Sequence, residues 1–282
     1  MGKKLLYYFL PIAKLVLFGI CFLFFALPVS LLKNIPFIKE LNTEESTVLW
    51  ETCLIFSLFL VLFLLSKMFK PLTFRHFFIV RKDAFGSFLK GTLLGICIMA
   101  MCIALLSLIG NVSFMIGGIT LGMFFFYIIY FLVVAFFEEL LFRTYPLFVF
   151  AETYPIALAI LFNGLLFGFV HATNPGFTWL AMLNISLAGV LFSMFTLYYR
   201  SLSWAIGIHL GWNFAQGILF GFKVSGSNTP SLLSTKPTGV SYISGGEFGI
   251  EGSLICTIIL VLIITYFFRK HKIAPIVVHK NN

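Results

Sequence analysis

The sequence predicts an all-α polytopic membrane protein, with about eight transmembrane helices around a polar pocket inside the bundle. Three observations point there. Hydrophobic residues make up 60% of the 282 residues and charged ones only 10%, against about 25% charged in an average soluble domain. The mean hydropathy is +1.05, and apolar runs of roughly 18 residues or more recur along the whole length. The few charges sit mainly in short stretches between those runs. A β-barrel would show short alternating segments instead.

Taken in order, the expected spans are about 10–32, 48–66, 91–110, 118–142, 154–172, 177–199, 203–222 and 252–268. Lys3-Lys4 ahead of the first run mimics a signal peptide, but the run is long, has no small-x-small cleavage site and is followed by further spans, so it reads as retained. Lys14 lies early in that span and is expected to snorkel to the headgroups. Between spans two and three comes a basic loop with Lys67, Lys70, Arg75, Arg81, Lys82 and Lys90, whose segment Thr73–Gly91 reads as an amphipathic interfacial helix. His76 within it reads as an interfacial side chain. Arg200 follows span six, and Arg269, Lys270 and Lys272 follow span eight. With the N-terminus inside, only Lys33, Lys39, Lys223 and Lys236 of the 19 basic residues fall outside, which puts both termini in the cytoplasm. The net charge of +9 is thereby a matter of topology, and nucleic acid is not an expected partner.

The domain reading is one membrane-embedded unit in three parts: helices with the basic loop over 1–117, a core over 118–222, and a polar loop, last helix and basic tail over 223–282. Residues 223–251 are the longest polar stretch and are expected outside. The five cysteines, Cys21, Cys53, Cys97, Cys102 and Cys256, all lie in apolar segments with no ligand spacing, and read as small core hydrophobes. The 37 phenylalanines read as lipid-facing or helix-packing surface. No haem, flavin or nucleotide motif is present.

Against that background, polar residues inside spans stand out, because ionisable groups at membrane depth are costly. Span four ends in Phe136-Phe137-Glu138-Glu139-Leu140-Leu141-Phe142-Arg143. Glu139 and Arg143 are at i, i+4 and can pair, whereas Glu138 is rotated about 100° away and has no partner on its own helix. Span five carries Phe167-x-x-x-His171, with Asn163 four residues upstream on the same face. Span seven carries His209 and Asn213, again at i, i+4, and hydrocarbon would leave both unpaired. At 1.5 Å per residue, Glu138 lies roughly 15–20 Å, and His171 roughly 20–25 Å, from the turn at Tyr154-Pro155. His209 and Asn213 lie roughly 10–15 Å into span seven from the same side. All four therefore converge near mid-depth.

Such a set suits amide hydrolysis. A carboxylate taken out of water can accept a proton from a nucleophilic water and return it to the leaving amine. One histidine can orient that water, and a second with an asparagine can donate to the oxyanion. Glu138, His171 and His209 are equally competent ligands for zinc or another divalent metal. No HExxH helix is present to favour the metal, and metal-free and metal-assisted hydrolysis both stand.

In order on successive helices, EExxxR (Glu138, Glu139, Arg143), FxxxH (Phe167, His171) and HxxxN (His209, Asn213) resemble the CPBP family. These are the CAAX-protease and bacteriocin-processing (Abi) intramembrane proteases, related to the Ras-converting prenyl endopeptidases. The resemblance covers about residues 118–222, and Phe248–Gly252 is also familiar. It implies an eight-helix intramembrane endopeptidase in which Glu138 activates water with His171, His209 and Asn213 stabilise the oxyanion, and Glu139, Arg143 and Phe167 support the site. It also implies a membrane-associated peptide or protein substrate, and the compact chain points to a prokaryotic plasma membrane. A non-catalytic membrane scaffold or immunity protein of the same family is the alternative, with the polar residues serving helix–helix specificity. A proton-coupled transporter is disfavoured, since no inverted repeat is visible.

Overall fold

The computed structural model describes residues 2–69, 72–80 and 82–276. Lys70, Arg81 and the end of the basic tail lie outside the described residues, as do the side chains of Lys3, Lys4 and Lys33. A helix forms at each of the eight expected positions, α1 (Gly2–Ser30), α2 (Thr43–Met68), α3 (Ala84–Leu108), α4 (Leu121–Arg143), α6 (Ile156–Val170), α7 (Trp179–Tyr199), α8 (Leu202–Asn213) and α9 (Leu254–Lys270), and a short α5 (Tyr145–Thr153) is added between the fourth and fifth of them. Six of them are long and apolar enough to cross a membrane. The exceptions among the expected eight are α8, of 12 residues continued by a π-helical turn over Phe214–Leu219, and α9, of 17. The chain is an all-α, multi-pass membrane protein.

Helix starts follow from side-chain caps. Asn42 accepts from the Glu45 amide while Glu45 accepts from the Asn42 amide, so both ends of a capping box are made ahead of α2. Thr120, Thr178 and Ser253 cap α4, α7 and α9 with one bond each, their side-chain oxygens accepting from the amides of Met123, Ala181 and Cys256, each bond worth about 1 kcal/mol. Large apolar side chains such as Phe24, Phe56 and Leu93 face outwards, as the bilayer allows. α7 is the most enclosed of the six long helices.

Four expectations need correction. The basic segment after α2 is a set of turns, not an amphipathic helix: Phe77 and Phe78 are buried, with Phe77 edge-on to Tyr145 and Phe148. Lys14 does not snorkel but pairs with Glu152 at 3.0 Å. Span four ends at Arg143, close to its expected end, and the stretch before span five, given no helix in the sequence reading, forms α5, with Pro146 in its first turn. Strands β1 (Val112–Ile116) and β2 (Leu233–Pro237) pair antiparallel, so the polar loop after α8 is not all irregular. Of the cysteines, Cys102 and Cys256 are buried but Cys97 is exposed.

The packing that positions the site is α3 against α8. Both carry a small-xxx-small pattern, Gly91/Gly95 and Gly207/Gly211, which lets the two backbones touch. A methyl group at Gly95 would strike the Ile208 carbonyl, and one at Gly211 the Thr92 carbonyl. Gly95→Val is therefore expected to cost about 1–3 kcal/mol or more, because neither backbone can give way. A melting curve of the detergent-solubilised variant that overlays the wild type would contradict this.

Candidate active site

The four side chains that converge come from three helices. Glu138 lies one turn before the end of α4. His171 sits where α6 tightens into a 3₁₀ turn, and its Nδ1–H donates to the Phe167 carbonyl at 2.8 Å. That bond fixes the ring and leaves Nε2 facing inwards, 3.8 Å from Glu138 Oε2. His209 on α8 presents its own Nε2 to the same carboxylate oxygen at 3.9 Å. Both separations exceed a hydrogen bond and leave room for a bridging water. Asn213, one turn beyond His209, is 4% exposed and lines the same cavity.

Behind these groups lies a second layer. Glu139 and Arg143 are fully buried, and Arg143 Nε approaches Glu139 Oε2 at 3.1 Å. The approach is off the axis of a hydrogen bond, so the contact is ionic. The other Glu139 oxygen accepts from His209 Nδ1–H at 3.0 Å. The two acids of span four thus divide: Glu139 holds Arg143 and His209, and Glu138 faces the cavity. Phe167 packs under the guanidinium, whose carbon stands 4.0 Å from the ring centroid, and edge-on to both histidines. Asn163 stays out of the cavity: it donates to the Phe142 carbonyl and accepts from Ser193.

The cavity measures about 440 Å³ and reaches Thr43 and Glu44 at the start of α2. Part of its wall is the segment Val224–Thr229, which is tied down from two sides. Glu251 accepts from the Ser225 amide and hydroxyl and from Trp212 Nε1, at 2.7, 3.1 and 3.0 Å. Asn174, just past His171, donates to the Ser225 carbonyl. The Phe248–Gly252 segment therefore connects the cavity wall to the helix that bears His209 and Asn213.

Glu51 on α2 is a further acid in the cavity, with one carboxylate oxygen buried and without a hydrogen-bond partner. Sequence reasoning passed over it, although an acid inside an expected span is the very signal that singled out Glu138. The Glu139–His209 bond carried no sequence signal at all.

Ligands of a tetrahedral zinc at ~2.0–2.1 Å stand roughly 3.3 Å from one another. The separations here are longer, and no group of three or more His, Cys, Asp or Glu among the described residues is disposed to hold a metal ion. As arranged, the donors do not fit that metal.

Residues 120–215 match the family model described as Type II CAAX prenyl endopeptidase Rce1-like. The match runs from the cap of α4 to just past Asn213 and so spans all four cavity residues. No curated protein and no solved structure matches the chain.

Proposed function

With residues 120–215 of the CAAX prenyl endopeptidase type, we propose that this multi-pass membrane protein is an intramembrane endopeptidase that hydrolyses a peptide bond by glutamate-activated water. One observation carries the reading: a carboxylate without a protein hydrogen bond stands within 4 Å of two imidazole Nε2 atoms, inside a cavity large enough for a peptide segment.

Water sits between Glu138 Oε2 and His171 Nε2, giving one hydrogen towards each. Since Nδ1–H of His171 is committed to the Phe167 carbonyl, the neutral ring offers its Nε2 lone pair to the water. Glu138 takes the proton as the water oxygen adds to the scissile carbonyl. The carbonyl oxygen becomes an oxyanion, which accepts from the Asn213 amide and from Nε2–H of protonated His209. Glu139 keeps the opposite nitrogen of His209 in the donor form. Collapse of the intermediate breaks the C–N bond, and Glu138 returns its proton to the departing amine. The products are a carboxylic acid and an amine, and the acid then gives its proton to the amine, so that they leave as carboxylate and ammonium.

The test is cleavage of a membrane-tethered peptide library by the purified protein in liposomes. Asn213→Ala is expected to lower kcat by about 10²–10³-fold, the loss typical of one oxyanion donor. Absence of cleavage by the wild type, or an Asn213→Ala rate equal to it, would remove the assignment and favour a binding role for the same residues.

A further inference from the structure

A second cavity, larger than the one that holds Glu138, is a cleft of about 710 Å³ at the opposite end of α8, walled by the turns after α2, the first turns of α3 and the start of α8. It shares no lining residue with the first cavity. His209 and Asn213 lie roughly 12–18 Å further along the same helix.

The cleft is strongly basic. Arg75, Lys82 and Lys90 stand at its rim and Arg200 in its wall, against a single acid, Asp83. Asp83 and Lys90 make one loose, exposed contact at 3.8 Å. Among the described residues, no carboxylate bridges Arg75, Lys82 or Arg200. Four cations with one counter-charge on a shared concavity repel each other unless an anion joins them.

The floor is built for such an anion. Ser201 is the N-cap residue of α8, yet its side chain makes no cap bond. The residue is 4% exposed, and its hydroxyl is buried without a hydrogen-bond partner. A buried hydroxyl left unmade costs about 1–3 kcal/mol, so its retention beside a helix N-terminus points to a partner that arrives from the cleft. Leu202 N–H, the first of α8, already donates to the Phe78 carbonyl at 3.0 Å, and the rest of that turn adds the positive end of the helix dipole. Arg200, with φ of +52°, turns the chain between α7 and α8. Its guanidinium is held in place by the carbonyls of Ala274 and Pro275 at 2.6 and 3.2 Å. Partial burial without a carboxylate lowers its pKa, which an anion in the cleft would reverse. Trp204 and Tyr199, stacked 4.4 Å apart, supply an apolar wall next to the charges.

The geometry points to a binding site for a phosphate-bearing anion in this cleft, with Ser201, Arg200 and the N-terminus of α8 as its floor and Arg75, Lys82 and Lys90 as its rim. Two sources share that chemistry: an anionic phospholipid headgroup and a soluble phosphate. The aromatic wall and the position at the end of the helices favour the lipid.

The experiment measures lipid binding to the full-length detergent-solubilised protein by native mass spectrometry. The probes are phosphatidylglycerol, phosphatidylcholine and inorganic phosphate. Phosphatidylglycerol is expected to bind more tightly than phosphatidylcholine. Arg75→Gln/Lys82→Gln should weaken it by about 10–30-fold, Ser201→Ala should weaken it too, and Lys236→Gln on β2 should leave it unchanged. The rim residues are exposed, so the double variant tests the site without disturbing the core. Competition by millimolar inorganic phosphate would assign the site to soluble phosphate, still as an anion site. Equal binding of the two lipids without phosphate competition, or cleft variants that behave as Lys236→Gln does, would overturn the proposal.

Discussion

Glu138→Gln is expected to abolish most peptide hydrolysis, lowering kcat by about 10²–10⁴-fold, the range for loss of a general base. KM and the melting temperature should stay close to wild type. The substitution keeps the shape of the side chain and removes only its ability to accept and return a proton. It should not unfold the protein, because Glu138 Oε2 has no hydrogen bond to lose and the side chain stands in a cavity. His171→Ala should act on the same step, since the proposed mechanism makes its Nε2, 3.8 Å from Glu138 Oε2, the other acceptor for the water. Glu51→Gln is the discriminating companion: that acid shares the cavity, but neither His171 nor His209 lies within ion-pair distance of it. A variant at Glu51 that loses activity while Glu138→Gln keeps more than about a tenth of it would move the base role from one acid to the other.

How far the sequence could reach is visible in those same residues. Helices were legible because hydrocarbon forces every backbone group to be satisfied within its own segment, so apolar run length alone marks a helix. Glu138, His171, His209 and Asn213 were legible because each is costly where it lies. Spacing on one helix was legible too: the i, i+4 relation paired Glu139 with Arg143, and the two do touch. Relations between helices were not. Nothing in one-dimensional spacing couples Glu139 to His209 across 70 positions, or Lys14 to Glu152 across 138. The end of span four was legible, but the nine-residue α5 after it was not, because it is too short to show as a span of its own. The apolar character of Phe77 and Phe78 made them look like an interfacial face, when the tertiary fold buries both, Phe77 against Tyr145 and Phe148 of α5.

The second large effect concerns the layer behind the cavity. Glu139→Leu is expected to destabilise the protein by about 3–5 kcal/mol, the cost of leaving one member of a buried ion pair alone. Arg143 would be the charge left behind. It is fully buried, its only carboxylate contact among the described residues is Glu139, and the carbonyl of Gly189 at 3.4 Å is a weak substitute. Removing both charges should restore most of the loss, because a well-packed apolar pair avoids the desolvation that the ion pair has to offset. Met at 143 can keep contact with the Phe167 ring through its sulfur. Glu139→Leu/Arg143→Met should therefore unfold within about 1–2 kcal/mol of wild type in a denaturant titration. Its activity should not recover. His209 Nδ1–H would have lost its acceptor, the ring could turn or change tautomer, and Nε2 would no longer be held towards the oxyanion. An orienting carboxylate of that kind can be worth about 10⁴ in kcat, so a fall of at least about 10² is expected for the stable double variant. Full activity in that variant would mean that Glu139 serves only the charge of Arg143. A stable Glu139→Leu single variant would mean that the buried pair contributes nothing to folding. The combination of recovered stability and lost hydrolysis is the outcome that assigns Glu139 both tasks, one through each oxygen.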